Sequence, residues 1–431
     1  MRHLTILFAL ALAAPGLAEN WPMWRGPRLD GTSLDTGFPL KWSDAENIQW
    51  KTPLPGVGHA SPIVWNDRVF TVSCIAGTGE RVLLCLDRAS GRILWQKTVI
   101  KSPLEKKHDL NSEASSTPAT DGEKIFTAFL DISSPDPVAS KSPNQKMHVT
   151  PGQAVVSAHD FNGNMVWQKQ VGGFSSVHGF CSSPVLYKDK VIVNCDQDGD
   201  GYIVALARMD GKELWRIARP NRTRSYCAPI IRELAGKTQM VLSGTKCVAS
   251  YSPDDGRLIW TIDGPTDQFV ASIVYNESAG LLFMTGGFPE HHILAIKPDG
   301  SGNVTSSHIA WRTNKGVSYV PSPISEGAYF LVVSDSGIAN CFEAKTGRIV
   351  WTERVGEHHA SLVSAEGRVL LINDKGEARV VKPSESFNAL AESAFGEKVF
   401  ASPAMSDGQI FVRGDQTMFC IGARHSQEAP R

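Results

Sequence analysis

The chain has almost no net charge. Its 43 Lys and Arg against 44 Asp and Glu leave a formal −1 over 431 residues, so the basic field that nucleic acid demands is missing. An acidic tail is missing too. The apolar stretch Leu4 through Ala14 is too short to cross a bilayer, which takes about 20 residues. No cysteine precedes Cys74, so no lipoprotein anchor is expected at the N-terminus. There is neither a nucleophile elbow nor a metal-binding motif. The two His pairs, His291-His292 and His358-His359, are adjacent, and on a strand neighbouring side chains point to opposite faces.

Arg2, the apolar stretch and the small residues Gly16-Leu17-Ala18 together read as an export signal over residues 1–18. The mature chain would then begin near Glu19, outside the cytoplasm, as a periplasmic or secreted protein. Eight cysteines in such an oxidising compartment permit many pairings. Cys74 with Cys85, and Cys181 with Cys195, could each meet across a hairpin.

What the chain does have is repetition. Glycine, three residues and tryptophan recur at Gly91/Trp95, Gly163/Trp167, Gly211/Trp215, Gly256/Trp260 and Gly347/Trp351. A period of roughly 40 to 50 residues marks stacked supersecondary units. Each unit holds four short β-branched runs split by turn residues, as in Ile63-Val64, Val69 to Val72, Leu83 to Leu86 and Ile93 to Trp95, which read as strands joined by tight turns. The unit starts recur at His59-Ala60-Ser61-Pro62, Ser116-Thr117-Pro118, Ser182-Ser183-Pro184, Cys227-Ala228-Pro229, Ala271-Ser272, Pro321-Ser322-Pro323, Ala360-Ser361 and Ala401-Ser402-Pro403. Eight units begin. The last lacks its fourth strand, and a spare strand, Asn47 to Lys51, precedes the first. Pairing the two ends would close a ring and protect its edges. The expectation is therefore an all-β, eight-bladed β-propeller of four-stranded antiparallel blades over residues 45–423. A tryptophan-rich extension at 19–44 would pack on the ring, and 424–431 would form a polar tail.

A small residue, Cys85, Ser157, Ala205, Ser250 or Cys341, lies ten positions before each regular tryptophan, and Cys420 falls at the same position in the last unit. With Cys85-x-Asp87-x-x-Ser90-Gly91-x-x-x-Trp95 and Cys341-x-Glu343-x-x-Thr346-Gly347-x-x-x-Trp351, the chain resembles the PQQ-type (pyrroloquinoline-quinone-type) propeller repeat family. It is similar in size to BamB-like proteins. The resemblance implies that each tryptophan docks between blades against a glycine peptide and a small side chain. Trp311, which follows Ala295 across an inserted loop, and Leu390, in place of tryptophan, depart from the pattern. The family includes quinoprotein dehydrogenases, for which PQQ and calcium are the implied cofactors, and non-catalytic scaffolds. This chain lacks the adjacent cysteine pair of those enzymes, and a fold alone does not imply catalysis.

In propellers the loops that enter each innermost strand, with those joining second to third strands, form the usual ligand rim. The rim here would carry His59, Glu113, His178, Asp196, Arg224, Tyr226, Tyr319 and His359, groups able to hydrogen-bond or stack on an oxygen-rich ligand. Asn111, Gln268, His358, Asp198, Asp200, His291, Asp335 and Asp374 lie at neighbouring rim positions. Asp196-Gln197-Asp198-Gly199-Asp200-Gly201 looks like the start of a calcium loop, but Ala207 stands where the closing glutamate belongs, and a tight Asp-Gly turn accounts for it. Residues 133–151 would form an excursion over the rim that could act as a lid. The reading that results is a monomeric binding or scaffold module, whose top rim takes a partner protein or a small polar ligand. A quinoprotein oxidoreductase or a sugar-active enzyme is the alternative.

Overall fold

A computed structural model describes residues 18–142 and 147–422. The export signal and the polar tail lie outside the described residues. Among those residues every regular element is a strand, in eight blades of four antiparallel strands and one short extra hairpin; short parallel strands, Thr32–Ser33 and Gly302–Asn303, extend blades 7 and 4. Blades 1 to 7 span residues 63–101, 119–174, 185–218, 230–263, 274–313, 324–354 and 363–394. Blade 8 joins strands at Ala404–Ser406, Gln409–Arg413 and Thr417–Ile421 to Ile48–Pro53 from the other end of the chain. The ring is the expected eight-bladed propeller, with the expected two-ended closure.

Position within a blade explains the residue pattern. The two middle strands are covered on both faces by neighbouring blades, so Arg68–Ile75 and Glu80–Asp87 are buried at every inner position. The outermost strands have one wet face and alternate, as in Glu213–Ala218. Their charged residues also blunt the exposed edge.

The tryptophans lock successive blades. Trp50 donates its indole N–H to the carbonyl of Arg88 at 2.8 Å, Trp95 to Phe161 at 3.0 Å, Trp167 to Arg208 at 3.0 Å and Trp311 to Ala344 at 3.0 Å. Each ring lies on the next blade's turn glycine. Gly91 has φ +72°, and a Cβ there would sit 2.5 Å from the Trp50 ring, so both conformation and space demand glycine. Cys85, Ala205, Ser250 and Cys341 pair across strands with Trp95, Trp215, Trp260 and Trp351. In blade 2 the partner of Trp167 is Ala158, one residue past the expected Ser157. Cys420 takes the same place against Trp50 across the closure. Trp260 turns inward, donating to Gln239 of its own blade at 2.8 Å.

All eight cysteines are free. The hairpin registers explain why the two suggested pairs do not form. Cys74 faces Arg81 and Cys85 faces Phe70, while Cys195 faces Tyr202 and Cys181 precedes the strands of blade 3. The excursion of blade 2 forms a two-stranded hairpin, Val138–Ala139 with His148–Val149, on either side of residues outside the described set.

The N-terminal segment crosses the ring on the face where first and second strands turn. Trp21 exchanges two backbone hydrogen bonds with Val64 of blade 1, and Thr120 of blade 2 donates to the carbonyl of Pro22. Asp30 pairs with Arg232 of blade 4, and Trp24 reaches Ser272 ahead of blade 5. Buried Arg25 donates to the carbonyls of Pro323 and Leu362, at the starts of blades 6 and 7. Thr32–Ser33 runs parallel to the innermost strand of blade 7, and Ser406 of blade 8 donates to the carbonyl of Glu19. The segment therefore spans the channel and blocks it at one end.

Candidate functional site

Eight recurrent sequence starts place one small residue per blade around the axis. Seven of them take part in five hydrogen bonds that run from blade to blade. The backbone N–H of Ser61 donates to Thr117 Oγ1 at 3.0 Å, and that of Thr117 to Ser183 Oγ at 2.9 Å. Likewise Ser272 donates to Ser322, Ser322 to Ser361 and Ser361 to Ser402, at 2.8 to 2.9 Å. Ala228, with no hydroxyl, interrupts the belt in blade 4. The serines that the sequence presents as strand starts are thus an inter-blade clasp.

Above the belt lies a cavity of about 550 Å³. Its lower part is lined by Trp24 and by Ser183, Ala228, Ser272, Ser322, Ser361 and Ser402. Trp24 donates to Ser272 Oγ at 3.3 Å. The upper walls come from the rim loops and include His59, His108, Asn111, His178, Tyr226, Tyr319, Asp335, Glu357, His359 and Phe400. Aromatic rings meet there in sequence. His59 stacks on Phe400 with centroids 4.9 Å apart, and His359 meets the same ring edge-on at 5.3 Å. His178 lies 5.5 Å from His108 and 5.7 Å from Tyr226.

Of the rim residues expected from sequence, His59, His178, Tyr226, Tyr319 and His359 come together on this cavity. Three do not. Asp196 is fully buried, and Arg219 clamps both its oxygens at 2.9 and 3.2 Å. Arg224 is 2% exposed and bound to Asp198 at 2.5 Å. Half-buried Glu113 is outside the cavity lining, close enough to Cys74 and Glu105 to act on their ionisation. The physical reason for the first two is shared. The acidic turn of blade 3 is followed by an arginine-rich loop, and charges this close pair once water is excluded. With Asp200 bound to Arg222 at 2.9 Å, all three acidic side chains of that turn face guanidinium groups. His358 and His359 do point apart: His358 is buried, with Nδ1 against the carbonyl of Gly356, and His359 faces the cavity. The sequence reading missed Trp24, Phe400, His108 and Glu357. Only Trp24 left a signal, as part of a tryptophan-rich extension with no blade of its own.

Burial tunes the wall groups. His59 is pushed down to about 4 by desolvation and then by Arg413, Lys107 and His359. His178 is likewise held near 4 by desolvation, with help from Arg224 and His108. Both are neutral at pH 7 and can accept as well as donate hydrogen bonds. His359 goes the other way. Burial opposes its cation, but Asp374, 2.7 Å from Nδ1, outweighs that and raises the imidazole. Asp335 is raised by desolvation although Val320 N–H donates to it at 2.9 Å. Tyr319 is pushed up to about 12 by burial, its hydroxyl donating to Gln268 at 3.2 Å. The cavity is thus an aromatic chamber whose wall holds the neutral imidazoles of His59 and His178 together with the carboxyl groups of Asp335 and Glu357. Among the described residues no three His, Cys, Asp or Glu side chains converge to hold a metal ion, and no helix is long and apolar enough to cross a membrane.

No curated protein sequence matches this chain. Among solved structures, BamB from Moraxella catarrhalis superposes with a TM-score of 0.58 at 12% identity, covering 87% of this chain and 99% of that one. Quinohemoprotein alcohol dehydrogenase from Comamonas testosteroni gives 0.65 at 10% identity, covering 96% and 82%. The computationally designed Ika8 protein gives 0.56 at 11%, covering 90% and 100%. At such identities the likeness is one of fold. The sequence model described as "Outer membrane protein assembly factor BamB" matches residues 131–353 and 289–386. With most of the ring matched and its docking tryptophans in place, the chain belongs to this PQQ-type β-propeller family.

Proposed function

We propose that this protein is an exported binding propeller whose central cavity receives a small, flat, hydrogen-bonding ligand. The observation that carries the reading is closure. Residues 19–35 block one end of the channel and put Trp24 into its wall, converting a through-channel into a chamber of about 550 Å³ open at the rim. That volume falls in the range of small-molecule sites, which are largely apolar with a few convergent polar groups. Stacked His59 and Phe400, neutral His178 and the hydroxyl of Tyr226 supply that combination.

Pyrroloquinoline quinone does not fit these residues. It carries three carboxylates, whereas the lining contributes Asp335 and Glu357 and no lysine or arginine. The nearby Arg224 is committed to Asp198. A scaffold role toward a partner protein is the second reading, favoured by membership of a family described as an outer membrane protein assembly factor.

The test is a thermal-shift screen of small aromatic, amine and carboxylate fragments on wild-type protein and on Ala228→Phe. That variant puts an aromatic ring into the chamber without removing a hydroxyl from the belt. The cavity reading expects fragments that raise the melting temperature of the wild type and leave the variant unmoved. Equal shifts in both, or none in either, would refute it and turn attention to partner capture on the rim.

A further inference from the structure

The chamber has an acidic lining. Asp335 and Glu357 line it on the side of blades 6 and 7, and Asp374 stands directly behind His359 at 2.7 Å. Three carboxylates act on the His359 imidazole there, and no lysine or arginine lines the cavity. His291, at the rim, also acts on Asp335. Outside the lining, buried Arg413 acts on His59 and is held by Thr71, Val72 and Ser73. Tyr319 and Phe400 line the same cavity as the two carboxylates, and the Tyr319 hydroxyl donates to Gln268. Aromatic faces beside carboxylates in a concave site are the arrangement that holds an organic cation, because ring quadrupole and carboxylate attract the same charge.

We propose that the blade 6 and 7 side of the chamber, between Asp335, Glu357, Tyr319 and Phe400, is a site for an organic ammonium ion. The proposal rests on the cavity being the binding site. Asp335 would be the contact charge, since it lines the cavity while the N–H of Val320 holds one of its oxygens at 2.9 Å. Glu357, exposed at the mouth, would draw the cation in.

Titration calorimetry with choline and with its uncharged carbon isostere, 3,3-dimethylbutan-1-ol, tests this on the mature protein. Choline is expected to bind at least about tenfold more tightly than the alcohol, as a desolvated cation–π contact permits. Asp335→Asn should bring the two within about threefold by weakening choline alone. Glu357→Gln, at an exposed position, provides a second variant that should weaken choline in the same sense should Asp335→Asn fail to fold. Alcohol binding as tight as choline would overturn the charge preference and leave the cavity reading intact. Binding of neither, with fragments still shifting the wild type but not Ala228→Phe, would overturn the ammonium proposal by itself. Binding of neither with no such fragment shift would overturn both.

Discussion

The indole N–H of Trp24 donates to Ser272 Oγ at 3.3 Å, so a residue from the N-terminal segment helps wall a chamber otherwise built by the blades. Trp24 is half-buried, whereas Trp21, three residues earlier, is 0% exposed and bonded to blade 1. The two should separate function from stability. Trp21→Ala is expected to cost about 4 kcal/mol and Trp24→Ala about 2 kcal/mol, in line with truncation of a full and a partial core aromatic. Only Trp24→Ala should also abolish fragment binding, as read by urea melts run with and without a cavity fragment.

Closure of the ring gives a second expectation. Trp50 is docked on Gly91 and paired with Cys420, and residues 19–35 touch seven blades. Deleting 19–52 removes the outermost strand of blade 8 and the channel block together. A single cooperative melt should give way to a broader one at much lower temperature, because a ring left open exposes two edges. An unaltered calorimetric transition would contradict the two-ended blade.

Asp196 and Arg219 form a fully buried pair. Burial works to discharge Arg219, but the charge of Asp196 outweighs it and raises the guanidinium further. Asp196→Ala should therefore destabilise by about 3 to 5 kcal/mol, the cost of leaving a buried charge unpaired. His178→Ala, on the cavity wall, should change ligand affinity more than stability. Chemical melts and fragment titrations of both variants separate the two roles.

Acid should unfold the protein through its histidines. His59, His178 and His159 are each held down to about 4, desolvation being the largest cause, while an unfolded chain takes up their protons near 6.5. Between those values the unfolded state binds more protons, so the stability from these neutral imidazoles is present above about pH 6.5 and is lost as pH falls toward 4. His359 is raised, so its smaller contribution runs oppositely and fades as pH rises above 6.5. Both ring nitrogens of His159 are buried without a partner. His159→Phe should accordingly flatten the acid limb of a stability-against-pH curve. A slope unchanged by that variant would place the acid sensitivity elsewhere.

The fold was legible because its determinants are local and repeated. Gly91 and Trp95 sit four residues apart, and an incomplete last unit beside a spare strand at Trp50 implies closure without long-range information. The candidate site was half legible for the same reason. His59 and His359 occupy one repeat position, and the fold carries both to the same rim. Asp196 and Arg224 occupy rim positions too, but their fate depends on Arg219 and Asp198, and no repeat encodes which charges will meet once buried. Trp24 lies outside every repeat, so its place in the chamber wall follows only from the path of the segment across the ring. The hydroxyls of Ser322 and Ser361 were visible as a recurrent Ser after a small or Pro residue. Their bonding from blade to blade depends on the curvature of the ring.

The most direct test of the chamber as the binding site is a crystal of the mature protein soaked in a cocktail of small aromatic fragments. The account predicts fragment density between Trp24 and Phe400, against His59 and His178, and none there in Ala228→Phe. Fragments gathered on the outer blade edges or the rim loops, with the chamber holding only water in the wild type, would contradict it.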